Sequence, residues 1–167
     1  PYFSTPPAIL HRGPMGSAKR DHFASIASLP RVAERWRVLH GHEPEDRDVQ
    51  VMYDESLPLQ KETLAIRGSE VIPGIPEAVA KLRDLDLKIG STTGYTRELM
   101  EVVTPIAARG GFAPDVIVCS DEVSAGRPAP WMNFRAAEQL GVYPMRSVVV
   151  VDDTPLGILQ LDGLDGT

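Results

Sequence analysis

From Val71 onward, short apolar segments alternate with helical ones, and this alternation constrains the fold more than any other feature of the chain. The spacing predicts helices over Pro76–Leu85, Thr96–Arg109 and Trp131–Leu140, with strands at Leu87–Gly90, Val116–Cys119 and Ser147–Val151 between them. Leu99, Val102, Val103, Ile106 and Ala107 make one apolar stripe along the second helix. The unbroken valines of "SVVVV" predict a strand buried on both faces, as in a parallel sheet. Strands alternating with helices pack as an α/β layered core, and in such sheets ligands gather at the carboxyl ends of the strands.

The first part of the chain reads differently. Pro1 to Pro14 is irregular, and Ser17 to Leu29 is expected to be helical with Ser17 as its N-cap. A second helix is expected from Arg31 to Leu39, with Val32, Trp36 and Leu39 on one face. A longer charged helix should span Glu45 to Ile66 and bend near Pro58. The Pro/Gly punctuation of "VIPGIPEA" then divides residues 1–70, a helical unit with 1–12 irregular, from an α/β core over 71–167.

Charge narrows the function classes. A net charge of −6 with no basic cluster argues against a nucleic-acid partner held by phosphate attraction. The single cysteine, Cys119, allows no internal disulfide and fits a reducing cytoplasm. No run is long enough to span a membrane.

Three strand ends carry chemistry. "STTGY", Ser91 to Tyr95, supplies two kinds of hydroxyl and a glycine before a helix, a cradle for an anion. "SAGRPAPW" can aim the Arg127 guanidinium at a phosphate. "DDT" offers Asp152 and Asp153 as oxygen ligands for Mg2+. Taken singly these are a capped turn, a loop arginine and an acidic turn; together they form a phosphoryl-handling set. Upstream, "MGSAKRDH" puts Lys19 and His22 on one helical face. A surface lysine is the default reading of that position. The first turn of a helix, a neighbouring Arg20 and partial burial would each lower the Lys19 pKa, with Asp21 opposing.

In order and wording the chain resembles the haloacid dehalogenase-like hydrolases, and among them the phosphonoacetaldehyde hydrolases. The resemblance is carried by "KIGSTTGYTRELM", "AGRPAPWM" and "LGVYP" in the core segments, and by "PMGSAKRDH" and "LPRVAERW" in the helical part. It implies an α/β parallel-sheet core with a small α-helical cap domain. The implied reaction cleaves the C–P bond of phosphonoacetaldehyde to acetaldehyde and phosphate, through a lysine imine and an aspartyl phosphate. By motif match Lys19 is the imine lysine and His22 its neighbour in proton handling. Met15 and Gly16 line the aldehyde end, Thr93 binds the phosphoryl group with Gly94 and Tyr95 beside it, Arg127 balances its charge, and Asp153 helps hold Mg2+. A small phosphonate substrate and a homodimer are implied as well.

The chain departs from that family in two places. The opening strand with its D-x-A-G-T-T-type nucleophile motif is absent from "PYFSTPPAIL", so the core is expected to lack its first strand. The pattern G-D-T-x-x-D stands here as "DDTPLG", with Asp152 for the glycine and Gly157 for the second aspartate. The expectation is a fragment that does not itself turn over phosphonoacetaldehyde. A capped phosphatase or sugar-phosphate mutase on the same scaffold, and a non-catalytic remnant, are the competing readings. Elsewhere, His40, His42 and Glu43 lack a fourth metal ligand, Cys119 reads as a packed thiol, and Trp36, Trp131 and Met100 read as packing residues.

Overall fold

The computed structural model describes residues 16–67 and 70–160. Met15, the segment before it and the tail after Gln160 lie outside the described residues.

Three helices open the chain: α1 (Lys19–Ala27), α2 (Pro30–His40) and α3 (Asp46–Arg67). The N-cap of α1 is Ala18, with no side-chain hydrogen bond, and not the expected Ser17; Ser17 is instead buried against its surroundings. Pro30 sets the first turn of α2, where a missing N–H costs nothing, and Gly41 ends it at φ 80°. Helix α3 continues through Pro58. Arg20 ties α1 to α3, its Nε donating to Gln50 at 2.9 Å and its Nη2 to Asp46 at 2.8 Å.

The core begins with α4 (Ile75–Asp84) and continues through β1 (Gly90–Thr93), α5 (Arg97–Arg109), β2 (Val116–Cys119), α6 (Trp131–Leu140) and α7 (Pro155–Leu159). β1 and β2 pair in parallel with Gly90 opposite Val116 and Thr93 opposite Cys119. The first strand therefore lies three residues later than Leu87–Gly90. Asp115 sets this register: its carboxylate accepts the Ile89 N–H at 2.7 Å and its own N–H donates to the Ile89 carbonyl at 2.7 Å. Leu87, half exposed, stays outside the ladder. Helix α6 covers the strand pair, with Val118, Met132 and Ala136 at the centre of the contact. Gly90 permits this approach, since a Cβ there would lie 3.3 Å from Leu140 Cδ1.

The third expected strand is not a strand. Ser147 closes a short 3-10 turn (Met145–Ser147), and Val148–Val151 has no ladder partner among the described residues. Val149 and Val151 are 87% and 91% exposed, the opposite of burial on both faces. A run of valines signals a need for burial but does not supply the neighbours that would bury it. The helical unit and the core meet where α3 packs on α5, with Lys61 paired to Glu98 across the junction. That pair is exposed and contributes at most about 1 kcal/mol; Leu99 and Met100 of α5 are buried.

This distribution predicts opposite responses at two aliphatic residues. Leu99→Ala, at a fully buried site, should lower unfolding free energy by about 2–5 kcal/mol in urea titrations. Val149→Ala should change it by no more than about 0.5 kcal/mol.

Candidate active site

The turn Gly16–Ser17, immediately before α1, is wedged among three core segments. Gly94, just past β1, comes so close that a Cβ there would lie 2.7 Å from the Ser17 carbonyl oxygen. Gly16 has φ +92°, and a Cβ on it would meet Thr154 Oγ1 at 2.7 Å. Glycine is required at both positions by these approaches, and at Gly16 by the backbone as well. The loop after β1 is held in turn by Ser120, whose hydroxyl donates to the Gly94 carbonyl at 3.0 Å and whose N–H donates to the Tyr95 carbonyl at 3.1 Å. Thr93 Oγ1 accepts the Tyr95 N–H at 3.1 Å.

Arg127 reaches the same place from the loop before α6. Its Nη2 donates to the Thr92 carbonyl and hydroxyl, each at 3.1 Å, and its Nη1 approaches the Gly16 carbonyl at 3.5 Å. Nη2 also lies 3.0 Å from Asp152 Oδ2, and both side chains are only 10% exposed. Burial pushes the Asp152 pKa up, but hydrogen bonds from Thr154 and the Arg127 charge outweigh it and hold the carboxyl below its ordinary value.

Lys19 stands at the start of α1 beside this junction. It lines an apolar cleft of about 420 Å3 with His22, Phe23, Leu64 and Tyr95, and its ammonium lies 5.4 Å from the centre of the Tyr95 ring. Burial lowers its pKa from the ordinary 10.5. Arg20, expected to help, is turned toward Gln50 and Asp46. Thus Lys19, His22 and Tyr95 share one cleft, and Gly16, Gly94 and Arg127 converge on the adjacent strand end.

Thr92, Ser120 and Thr154 were given no role by the sequence, and Asp152, expected as a Mg2+ ligand, is instead the partner of Arg127. Thr92 was visible as a hydroxyl in "STTG", but only the register shows that Arg127 rests on it. Asp153 is exposed and can offer one oxygen. Asp152 is turned to Arg127, and no group of three or more His, Cys, Asp or Glu side chains that could hold a metal is gathered among the described residues. These residues alone do not fit a Mg2+ site. His40 stacks on Trp36 with ring centres 4.0 Å apart, and His42 faces the Glu43 carbonyl, so neither converges on a metal position. Cys119 is fully buried, and burial pushes its thiol up to about 12, as befits a packed side chain.

The chain belongs to the haloacid dehalogenase-like hydrolase family, whose sequence pattern matches residues 15–160. It is 45% identical to the phosphonoacetaldehyde hydrolase of Paraburkholderia xenovorans over 155 residues, 93% of this chain and 57% of that protein. The phosphonoacetaldehyde hydrolase of Bacillus cereus (strain AH187) is 46% identical over 143 residues, 86% of this chain and 54% of that protein. The chain thus spans about half the length of these curated relatives. Among solved structures, a phosphonoacetaldehyde hydrolase-like protein from Oleispira antarctica superposes with a TM-score of 0.86 at 32% identity, over 90% of this chain and 54% of that one. A hydrolase from Pseudomonas syringae, at 18% identity and TM-score 0.64 over 95% of this chain and 66% of that one, shares the fold. Hydrolases of this family generally use a divalent metal. No helix among the described residues is long and apolar enough to cross a membrane.

The lowered Lys19 pKa has a thermodynamic sign. Between its folded value and 10.5 the unfolded chain binds the extra proton, so stability rises with pH across that window. Below the window both states are protonated and the burial penalty is present in full. The urea midpoint of the wild type should therefore gain on that of Lys19→Met as pH is raised from neutrality toward 10.5. A constant difference would show an ordinary lysine.

Proposed function

We propose that this chain carries the imine-forming and phosphoryl-binding parts of a phosphonoacetaldehyde hydrolase site. The observation that carries the reading is the placement of Lys19. A half-buried amine with a lowered pKa opens onto an apolar cleft, and the turn preceding it is locked against a hydroxyl-rich strand end and a buried arginine. The identity to proteins named phosphonoacetaldehyde hydrolase supports the same substrate.

The chemistry explains why such a lysine is needed. Direct cleavage of a C–P bond would leave an unstabilised carbanion. A neutral Lys19 amine attacks the aldehyde carbonyl and, with loss of water, forms an imine. Protonated, that imine accepts the electron pair of the C–P bond as it breaks, leaving an enamine in place of a carbanion. Protonation on carbon and hydrolysis then release acetaldehyde and restore the amine. His22, lining the same cleft, handles the protons of condensation and hydrolysis. Thr93 and Arg127 hold the phosphoryl oxygens, Gly94 and Tyr95 shape the loop around them, and Gly16 borders the aldehyde end. The phosphoryl acceptor, an aspartate by resemblance to the family, is not assigned to any described residue. In this reading the helical unit up to residue 67 forms the cap and the described residues from 71 to 160 the core.

Borohydride added with phosphonoacetaldehyde should fix a reduced adduct on Lys19, located by peptide mass mapping, and Lys19→Arg should reduce it to background. An adduct that persists in that variant would sink the imine assignment. Arg127→Ala should weaken binding of the phosphonate by about 10–150-fold, the worth of a charge-assisted hydrogen bond of about 1.5–3 kcal/mol.

A further inference from the structure

The Asp152 carboxylate is seated from every side. Oδ1 accepts the Thr154 N–H at 2.8 Å and the Thr154 hydroxyl at 2.6 Å, while Oδ2 faces Arg127 Nη2 at 3.0 Å. Gly157 completes the seat, because a Cβ there would lie 1.9 Å from Asp152 Cγ and 2.2 Å from either oxygen. The backbone of Gly157 is not in the left-handed region, so space rather than conformation demands glycine. The two residues are a matched pair: a carboxylate delivered from position 152 fills the volume that any side chain at 157 would claim.

Arg127 is altered by this arrangement. Its Nη2 carries two hydrogens and faces three acceptors, the Thr92 carbonyl, the Thr92 hydroxyl and Asp152. Its Nε is buried without a hydrogen-bond partner among the described residues. The guanidinium is thus charge-neutralised on one edge and unsatisfied on another. A dianion arriving at Arg127 must displace the carboxylate or settle beside a second negative charge in a site nearly closed to water.

We propose that Asp152 is a built-in anion for Arg127, which competes with phosphoryl ligands and sets how tightly the site holds them, with Gly157 providing the room it needs. The proposal rests on Arg127 being the phosphoryl-binding cation of the proposed function. Asp152 acts here as a specificity-determining residue without touching the reacting atoms. It penalises a second negative charge, and so disfavours retention of inorganic phosphate more than that of less charged groups.

Two substitutions separate charge from volume. Asp152→Asn keeps the shape and an acceptor for the Thr154 N–H but removes the charge. Gly157→Ala keeps the charge and forces the carboxylate out of its seat. Inorganic phosphate titrated calorimetrically into the full chain near neutral pH should bind both variants tighter than wild type by about tenfold or more. Arg127→Ala should weaken binding by about tenfold or more. Equal affinity in wild type and both variants would overturn the role of Asp152 while leaving Arg127 as the anion site. Binding undiminished by Arg127→Ala, or no binding to any variant, would overturn both. Should the variants fail to fold, carbon NMR of the wild type decides. Saturation with phosphate must move the Asp152 carboxyl resonance together with that of Arg127 Cζ, and a shift at Arg127 alone would refute the competition.

Discussion

The approach of Gly94 to the Ser17 carbonyl is the constraint on which the rest of the site depends. A helical unit and a two-layer core, joined through a long helix, can be set against each other in many ways by apolar contact alone. Backbone contact is less forgiving. With glycine at 94 and 16, the turn before α1 enters between the loop after β1 and the turn before α7, and no bulkier residue fits. The first turn of α1, and with it Lys19, is then located relative to Thr93 and Arg127 by main chain rather than by flexible side chains. Arg127 reinforces the junction, since one guanidinium reaches Thr92, Gly16 and Asp152, which belong to three separate stretches of sequence.

Much of this was legible in the sequence, for identifiable reasons. Helix ends followed local rules: Pro30 and Gly41 bracket α2, and the stripe through Leu99 and Val103 found the buried face of α5. β2 and α6 lie where the apolar pattern put them. Strand pairing depends on partners far along the chain, and there local pattern failed. β1 was displaced by three residues because Asp115 clamps Ile89 and fixes the register from outside the strand. Val148–Val151 has the composition of a central strand, yet no ladder partner for it exists among the described residues. The site was legible as a set of residue types, while its connections were not. Asp152 read as a departure from a family pattern, and its contact with Gly157 is visible only in three dimensions.

Of the three causes expected to lower the Lys19 pKa, partial burial is the one the structure bears out. Helix polarity and Arg20 were the electrostatic reasons to expect a weakened base. In the structure Arg20 is engaged by Gln50 and Asp46, and loss of water around the amine does the work. The lowered pKa therefore depends on the burial provided by the cleft that Lys19 lines with Phe23, Leu64 and Tyr95 more than on any single charge.

Cys119 ends β2 directly opposite Thr93, fully enclosed and with its thiol held far from ionisation. It is the sole cysteine of the chain. Alkylation at that sulfur therefore requires the strand pair to open, which turns one inert side chain into a clock. The rate at which a thiol reagent consumes it reports the opening free energy of the strand that leads into the Gly94 loop, with no probe introduced.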